Sequence, residues 1–492
     1  MNVPKAATAA PPVPRQRGSG RLEPTAHLSL AARAARGVTA RQDLPPGEQG
    51  ELVLPQDRPD AVTVLEAQAA SRLPELVPVR HGRMAASPFA FYRGAAALMA
   101  GDLAASPTSN LVVQLCGDAH LSNFGLFASP ERRLLFDVND FDETLPGPWE
   151  WDVKRLAASI EVAGRQNGFV RKERRRAVRA SVERYQQAMA RFAGMRELEV
   201  WYARADVEEL QELLGAQLSE ERRKTLDRTV ARARSNDSLR ALRKLSRVVD
   251  GHRRIRADPP LLVPIGDLLP EVAREELETQ IRGLLDRYSR SLLPDRRLLL
   301  GKFSFVDMAR KVVGVGSVGT RCWVVLLEGR DDDDPLLLQV KEAQESVLAP
   351  YLAPASRSRR RVPNQGERVV TGQRLMQAAS DIFLGWERVQ GLDGAQRDFY
   401  LRQLRDQKGS VVVENLVPRG VRLYGELCGW TLARAHARSG DAVAISAYLG
   451  DDTTFSKAVA DFAERYADVN ERDHGAVVEA VRSGRLAADA SA

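Results

Sequence analysis

Two short acidic segments in the first third of the chain have residue types that suit phosphoryl transfer. Asp118 and Asn123 stand in a D-x-x-x-x-N pattern, which lets a carboxylate meet a substrate hydroxyl while an amide oxygen holds a metal ion beside it. A second segment, Asn-Asp-Phe-Asp at residues 139–142, supplies the further carboxylate that such a metal needs. The pattern therefore indicates a phosphotransferase site.

A glycine-rich segment much later in the chain suits phosphate binding. Residues 314–319 read Gly-Val-Gly-Ser-Val-Gly, a G-x-G-x-x-G pattern that serves both dinucleotide-binding folds and kinase glycine loops. A dinucleotide site needs a helix after the glycines, whereas residues 322–327 continue as an extended apolar segment. We therefore expect a hairpin that folds over phosphates, although a surface hairpin with a solvated lysine is the alternative. The expected phosphate contacts are Gly314, Gly316, Ser317, Gly319 and Lys341.

The acidic groups must be presented by strand ends. Residues 110–115 and 133–139 are apolar and predict two strands, so residues 116–123 and Asp140 come where such strands finish. Residues 153–295 are expected to be mostly helical, with many arginines and interleaved glutamates.

The glycine segment must be carried by a β-meander. Residues 312–327 are apolar and β-branched, a turn follows, and residues 336–341 return as a strand that ends at Lys341. Two more strands are expected over residues 381–389 and 399–405.

The first acidic segment resembles a known catalytic loop. Residues 117–123 read Gly-Asp-Ala-His-Leu-Ser-Asn, similar to the G-D-x-H-x-x-N of aminoglycoside and choline phosphotransferase-like kinases. The resemblance implies that Asp118 orients or deprotonates the acceptor hydroxyl and that Asn123 binds Mg²⁺. It implies that His120 shapes the loop rather than transferring protons.

The second acidic segment is similar to the I-D-F-x-D motif that follows in the same kinases. The resemblance implies that Asp140 is the magnesium carboxylate that bridges the β and γ phosphates, and that Asp142 assists it. Asp152 falls where these enzymes have an aspartate that braces the catalytic loop by hydrogen bonding.

Kinases place the glycine loop before the catalytic loop, and here the order is reversed. A circular permutation explains this, because binding depends on spatial position and not on chain order. Residues 426–437 resemble the L-A-x-L-H helix that precedes the catalytic loop in small-molecule kinases, yet they lie near the C-terminus, with His436 expected to be packed. We therefore predict an α+β, two-lobed, protein-kinase-like fold that is circularly permuted.

This fold predicts four regions, each defined by its place in the two lobes. They are a disordered basic arm (1–50), a C-lobe-like catalytic segment with a helical insertion (51–300), an N-lobe-like β-rich nucleotide-binding segment (301–410) and C-terminal helices packed on the C-lobe (411–492).

Longer runs resemble the bacterial family catalogued as domain of unknown function 2252. They lie at residues 83–94, 116–125, 136–144 and 301–320, and the resemblance extends from about Glu51 to the C-terminus.

Two positions depart from the kinase pattern, and one partner is left open. Cys116 replaces the histidine of H-x-D, and Arg321 stands where protein kinases have a valine beneath the adenine. The partner of Lys341 is open among three acids. These are Glu342, Glu345 and Glu367. We prefer Glu367, which opens a helical stretch.

The expected activity is transfer of phosphate from ATP, with Mg²⁺, to a hydroxyl of a small molecule. Nucleotidyl (AMP) transfer and a degenerate pseudokinase are the alternatives on the same fold. A metal-dependent hydrolase built on Asp118, His120 and Asp140 would leave the glycine hairpin and Lys341 without a role.

Composition limits the remaining classes. The chain has 492 residues, is 44% hydrophobic and carries a net charge of +7, so a nucleic-acid-binding protein that uses the Arg-rich helices between Arg171 and Arg256 is a further alternative. Acids within residues 197–221 and the lack of recurring aromatics argue against it. No apolar run is long enough for a membrane span, and three scattered cysteines fit a reducing compartment, so a cytoplasmic location is expected. The sequence carries no signal for the oligomeric state.

Overall fold

The structure of the chain is a computed structural model, and it describes most of the residues. It describes residues 28–209, 211, 220–235, 238–250, 252–269, 271–272, 274–331, 333–352, 364–391, 394–404, 407 and 409–489. The α-helices bounded within these residues are α1 (Leu30–Asp43), α2 (Ala61–Ala69), α3 (Val77–Ala85), α4 (Pro88–Gly94), α5 (Ala96–Ala104), α6 (Trp149–Gln166), α7 (Arg171–Ala193), α8 (Glu197–Tyr202), α9 (Glu220–Arg234), α10 (Ser238–Leu245), α11 (Ile265–Leu268), α12 (Arg274–Ser289), α13 (Pro294–Leu300), α14 (Gln365–Met376), α15 (Pro418–Ala437), α16 (Ala442–Leu449) and α17 (Thr454–Arg482). The strands are β1 (Val112–Leu115), β2 (Phe124–Ala128), β3 (Leu134–Val138), β4 (Leu145–Pro148), β5 (Ala205–Asp206), β6 (Ser246–Val249), β7 (His252–Ile255), β8 (Leu262–Pro264), β9 (Ser304–Lys311), β10 (Cys322–Glu328), β11 (Pro335–Ala343), β12 (Gly385–Gln390) and β13 (Gln396–Gln403).

The largest sheet is antiparallel throughout and has the strand order β12-β13-β11-β10-β9-β8. Its centre is the β-meander β9-β10-β11, and the glycine segment connects β9 to β10, as the sequence predicts. Strands β12 and β13 correspond to the two further strands expected. Successive side chains along each strand point to alternate faces of the sheet.

Both faces of this sheet are covered by apolar packing. Val325, Leu338 and Leu401 pack with residues of α12 on the outer face. Val324 and Leu337 pack with α10 on the inner face, which is the face that also carries Lys341. The inserted helical segment therefore covers part of the inner face beside the site.

The other half of the molecule is mainly helical. Helix α6 is buried along almost its whole length and packs with α7, α15 and α17 around the largest core cluster. Helices α7 and α15 approach closely because Gly429 faces Ser181, whose carbonyl oxygen would lie 2.2 Å from a Cβ at that glycine. Strands β1 and β3 lie beside this bundle and deliver the two acidic segments.

The expected start of ordered structure near Glu51 is wrong. Helix α1 lies within the segment predicted to be a flexible arm, capped at its N-terminus by the Ser29 hydroxyl. Arg41 bonds the carbonyl oxygens of Tyr448 and Leu449 at 2.7 and 2.8 Å, which ties α1 to the end of α16. The part of the arm at residues 1–27 lies outside the described residues.

The combination of helices and sheet confirms the α+β class. Among the helices that the structure describes, none is long and apolar enough to cross a membrane.

Candidate functional site

The acidic segments and the glycine hairpin line one cavity of about 180 Å³. The predicted residues found in its wall are Asp118, His120, Asn123, Asp140, Asp142, Gly314, Gly316 and Ser317. Lys341 adjoins this wall, because its Nζ lies 2.5 Å from Asp142 Oδ2. The structure therefore brings together groups from distant halves of the chain.

A buried carboxylate holds the first acidic loop. Asp152 on α6 accepts the backbone N–H groups of Cys116 and Gly117 at 2.8 and 3.0 Å, which is the bracing contact expected of it. His436 Nε2 lies 3.2 Å from Asp152 Oδ2, and the Tyr185 hydroxyl lies 2.9 Å from the other ring nitrogen. His436 is thus a buried support behind the loop.

Gly117 is required by the shape of this loop. Its φ is +83°, in the region that favours glycine, and an added Cβ would lie 2.4 Å from the carbonyl oxygen of Glu143. The two acidic segments can approach each other only because this side chain is absent.

Asp118 is held by an arginine to which the kinase resemblance gave no role. Arg155 Nε donates to Asp118 Oδ1 at 2.8 Å, and Arg155 Nη2 donates to the Tyr92 carbonyl at 2.7 Å. Burial raises the pKa of Asp118 to about 6, with Arg155 opposing the shift. Asp118 is therefore ionised at neutral pH and is a stronger proton acceptor than an ordinary aspartate.

His120 lies beside this carboxylate but does not pair closely with it. Its Nε2 is 3.7 Å from Asp118 Oδ2, and its Nδ1 has no hydrogen-bond partner among the described residues. Burial, with Arg93 and Arg155 nearby, lowers the pKa of His120 well below its ordinary value. The imidazole is therefore neutral.

The amide of Asn123 is fixed by the first acidic loop. Its Nδ2 donates to the Asp118 carbonyl at 2.7 Å, so the side-chain oxygen is left as the free acceptor in the cavity wall. The Asn139 N–H donates to the Asn123 carbonyl at 2.8 Å and joins the two acidic segments. Asp140 in the same wall supplies a carboxylate, and such oxygen donors suit Mg²⁺.

These donors form an open set rather than a closed metal cage. Within the described residues, no group of three or more His, Cys, Asp or Glu side chains is arranged to hold a metal ion. An amide and a carboxylate fit an ion that shares its coordination with phosphate oxygens and water. Asp118, His120 and Asp140 therefore do not form the three-ligand group that a hydrolytic metal site would need.

Lys341 pairs with the second acidic segment. Besides Asp142, its Nζ lies 3.8 Å from Asp140 Oδ1, and these are its ion pairs in the described part of the chain. Burial acts to lower the pKa of Lys341, but Asp140 and Asp142 hold it well above its ordinary value. The preference for Glu367 as partner is therefore wrong, because that helix-opening residue is not among these pairs, while Glu342 pairs with Arg321 at 3.3 Å.

Asp142 collects donors from both halves of the molecule. It accepts the Tyr400 hydroxyl at 2.6 Å and the Ser317 hydroxyl at 3.2 Å, in addition to Lys341. Burial acts to raise its pKa, but Lys341 and the Tyr400 bond bring it below the ordinary value. Asp142 is therefore a charged link between the acidic segment and the sheet.

The glycine hairpin is fastened to the first half of the chain. Arg72 donates to the Val318 carbonyl, Arg83 donates to the Gly314 carbonyl at 2.8 Å, and the Leu73 N–H donates to the Gly319 carbonyl at 2.8 Å. Gly319 is not in the cavity wall and packs against the Arg72 side chain.

Sequence reasoning missed several residues of the site. Arg155 follows the predicted bracing aspartate by about one turn of helix, and Arg93 is the last residue but one of the family run at residues 83–94, so both stood within recognised motifs but were given no role. Arg72 and Arg80 lie in the cavity wall with no motif around them.

The Arg-rich helix α7 is matched by acids of α17. Arg171 and Arg175 form ion pairs with Glu464 and Asp461, respectively. These ion pairs neutralise part of the positive charge of α7 within the molecule. Nucleic-acid binding stays an untested alternative. The three cysteines are buried and form no disulfide.

Comparison with known proteins gives one match. The model of a family described as "Uncharacterized protein conserved in bacteria (DUF2252)" matches residues 72–480. No curated protein and no solved structure matches the chain. The matched span contains the acidic loops, the glycine hairpin and Lys341, and the chain belongs to the DUF2252 family.

Proposed function

We propose that the protein is a phosphotransferase that moves the γ-phosphate of ATP to a hydroxyl of a small molecule. The observation that carries the proposal is the meeting of Lys341 with Asp142, next to Asp118, Asn123 and Asp140 in one cavity. Residues with these roles at a phosphoryl-transfer site must lie within reach of a single triphosphate.

The order of elements supports a permuted kinase-like fold. The glycine segment connects β9 and β10, Lys341 lies on β11, and a helix, α14, follows it. Kinases have the same succession of glycine loop, β3 lysine and αC helix. The catalytic-loop segment comes from earlier in the chain, and α15, which carries the buried His436, comes after the sheet.

The chemistry follows from the two oxygens of Asp118. Arg155 holds Oδ1, which leaves Oδ2 to take the proton of an acceptor hydroxyl. The acceptor oxygen then forms a bond to the γ-phosphorus, the bond from that phosphorus to the bridging oxygen breaks, and ADP leaves with the electron pair. Lys341 neutralises phosphate charge, and Mg²⁺ held by Asn123 and Asp140 would supply the remaining neutralisation.

Ligand-induced thermal stabilisation tests the nucleotide site. ATP with Mg²⁺ should raise the melting temperature of the wild type, since a ligand at about 100 times its Kd adds roughly 2.7 kcal/mol to stability. Asp140→Ala should lose this shift, whereas Asp451→Ala, which removes an exposed aspartate, should keep it. A wild type that ATP and Mg²⁺ leave unshifted would overturn the proposal.

Nucleotidyl transfer is the second candidate, and the arginines of the cavity wall favour it. Arg72, Arg80 and Arg93 lie in the same wall as the acidic groups and suit the terminal phosphates of a nucleotide that presents its α-phosphorus to the acceptor. Incubation with γ-labelled and α-labelled ATP separates the two reactions, because only nucleotidyl transfer leaves the α label on the acceptor.

A further inference from the structure

Three arginines converge on the cavity without a carboxylate partner. Arg72, Arg80 and Arg93 all lie in its wall, and none of them forms an ion pair with the residues that the structure describes. Two other buried arginines do have such a partner, since Arg155 pairs with Asp118 and Arg434 pairs with Asp137. A cluster of like charges without a counter-ion repels itself, so these three need a separate explanation.

Arg80 is the strongest member of this cluster. It is 1% exposed, and one nitrogen, Nη2, bonds the side-chain oxygen of Gln68 at 2.7 Å and the Gly94 carbonyl at 3.3 Å. Its Nε and Nη1 are buried and have no hydrogen-bond partner among the described residues. Buried guanidinium donors in proteins are normally paired, so two unpartnered donors in a residue of the cavity wall indicate a missing acceptor.

The other two arginines have open donors as well. Arg72 uses Nη1 for the Val318 carbonyl, and its buried Nε has no partner in the described part of the chain. The same holds for the buried Nε of Arg93. Asp118, Glu143 and Glu342 influence these cations through space, but none forms an ion pair with them.

The arginines are separate from the group around Lys341. Lys341 is neutralised by Asp142 and Asp140, so its charge is already matched in the empty protein. The three arginines come from residues 72–93, the segment that contains α3 and α4, whereas Lys341 lies on β11 of the large sheet. The cavity thus has one balanced and one unbalanced cationic region.

We propose that Arg72, Arg80 and Arg93 form an oxyanion site that binds a phosphate group. Guanidinium groups present planar, paired donors that match the oxygens of phosphate, and three of them provide enough donors to surround one such group. The site stands on the geometry of the arginines, and it deepens the proposed function if that function holds.

The phosphate has two sources. It belongs either to the acceptor, which would then be a phosphorylated small molecule, or to the far end of the nucleotide triphosphate, as in the nucleotidyl-transfer arrangement. The chemistry at the arginines is the same in both cases, so an experiment has to separate them.

Calorimetric titration with inorganic phosphate, without nucleotide or metal, tests the site directly. The wild type should bind phosphate, and Arg93→Gln and Arg80→Gln should each bind at least about tenfold more weakly, the loss of one charged hydrogen-bonding partner. Arg310→Gln is the matched control, because Arg310 also has an unpartnered Nε but pairs with Glu75 at 2.6 Å and is not in the cavity wall. If Arg80→Gln fails to fold, Arg93→Gln alone tests the site, since Arg93 is only half-buried.

Two results would overturn the site: a wild type that does not bind phosphate, or Arg93→Gln that binds it as tightly as wild type. Asp140→Ala should keep phosphate binding, because Asp140 is not part of the arginine cluster. A wild type that binds phosphate but is not stabilised by ATP with Mg²⁺ would remove the proposed function and leave the oxyanion site standing. Conversely, ATP stabilisation without phosphate binding would remove only the oxyanion site.

Titration with ATP and Mg²⁺ then identifies the source. Unchanged ATP affinity in Arg93→Gln assigns the phosphate to the acceptor, whereas a loss of about tenfold, equal to the loss for inorganic phosphate, assigns it to the nucleotide. Either result is consistent with an oxyanion site at the arginines.

Discussion

At the scale of single residues, the two oxygens of Asp118 are in different environments. Arg155 bonds Oδ1 and fixes the plane of the carboxylate, while the neutral His120 lies 3.7 Å from Oδ2. Buried carboxylates without such a partner take up a proton more readily, so Arg155 keeps this one ionised in a desolvated position. The arginine therefore allows a buried base to act at neutral pH.

Asp118→Asn should separate chemistry from binding. The amide keeps the shape and can still accept from Arg155, but it cannot take a proton, so the transfer rate should fall by about 10²–10⁴-fold. Stabilisation by ATP with Mg²⁺ should remain close to that of the wild type, because Asn123 and Asp140 are intact. Equal loss of rate and of nucleotide binding would show that Asp118 acts in binding and not as a base.

Lys154 should make the free energy of unfolding depend on pH in the alkaline range. Burial lowers its pKa from 10.5 to about 8, with Glu150 opposing the shift. Between these values the unfolded chain binds a proton that the folded protein does not, so the free energy of unfolding rises with pH by up to about 3 kcal/mol relative to Lys154→Met. Urea denaturation at about pH 7.5 and pH 10 measures this difference.

The control for that experiment is Lys172→Met, which removes an exposed lysine on the next helix. Its ammonium group is in solvent in both states, so this variant should follow the wild type at both pH values. A Lys154→Met variant that also follows the wild type would mean that Lys154 reaches solvent in the folded protein.

The residues that sequence could predict are those fixed by local spacing. Asp118 and Asn123 lie in one short loop, and the bond from the Asn123 amide to the Asp118 carbonyl closes within that loop. The partner of Lys341 could not be found in this way, because it comes from a segment 199 residues distant and depends on how the halves pack. Sequence reasoning did not find Arg80 either, because its place in the cavity wall also depends on how distant segments pack together.

At the scale of elements, α1 shows how a helix whose large apolar residues are exposed can still dock. Gly37 lies so close to α16 that a Cβ would be 2.0 Å from the Ala444 carbonyl oxygen, and Ala447 lies beside it. Small residues on both helices allow this approach, and Arg41 adds bonds to the end of α16. The docking therefore depends on close backbone contact rather than on large side chains.

Gly37→Ala should destabilise the protein by about 2 kcal/mol, even though alanine favours helices, because the added methyl group overlaps backbone atoms that cannot move alone. Thermal or urea denaturation measures the change. Gly47→Ala is the control, since its Cβ would meet only the Thr454 methyl group at 3.6 Å, and its effect should stay within about 0.5 kcal/mol. A neutral Gly37→Ala would mean that α1 is not docked as described.

Sequence patterns predicted strands better than they predicted α1. Strands β10 and β11 are continuous apolar runs bounded by turn residues, which is a strong local signal. The α1 segment is rich in Ala and Arg, a composition shared by disordered arms, and only the Ser29 cap distinguished it. Its order comes from packing against α16, which is distant in the chain.

At the scale of the whole molecule, the acidic half and the sheet half are joined by a buried ion pair. Lys341 is 2% exposed, and its bond to Asp142 connects residues 199 positions apart. Removing either partner leaves an uncompensated charge in the interior, which typically costs about 3–5 kcal/mol. The two halves should therefore unfold as one cooperative unit.

A double-mutant cycle on Lys341→Met and Asp142→Asn measures this link. Each single substitution should destabilise the protein, and the double variant should be about 2 kcal/mol more stable than the sum predicts, since neither charge is then left alone. The exposed pair Arg482 and Glu479 provides the comparison cycle, with an expected coupling below about 0.5 kcal/mol. Additive effects at Lys341 and Asp142 would contradict the pairing.

The fastening of the glycine hairpin by Arg72, Leu73 and Arg83 has a consequence for rates. Three hydrogen bonds to uncharged carbonyl oxygens contribute about 1 kcal/mol each, so lifting the hairpin requires on the order of 3 kcal/mol. An open conformer would then make up roughly one molecule in a hundred at any moment. Bulky ligands that enter and leave only through this open conformer would associate and dissociate more slowly by about that fraction, with an unchanged affinity. Shortening Arg83 would therefore speed both their arrival and their departure.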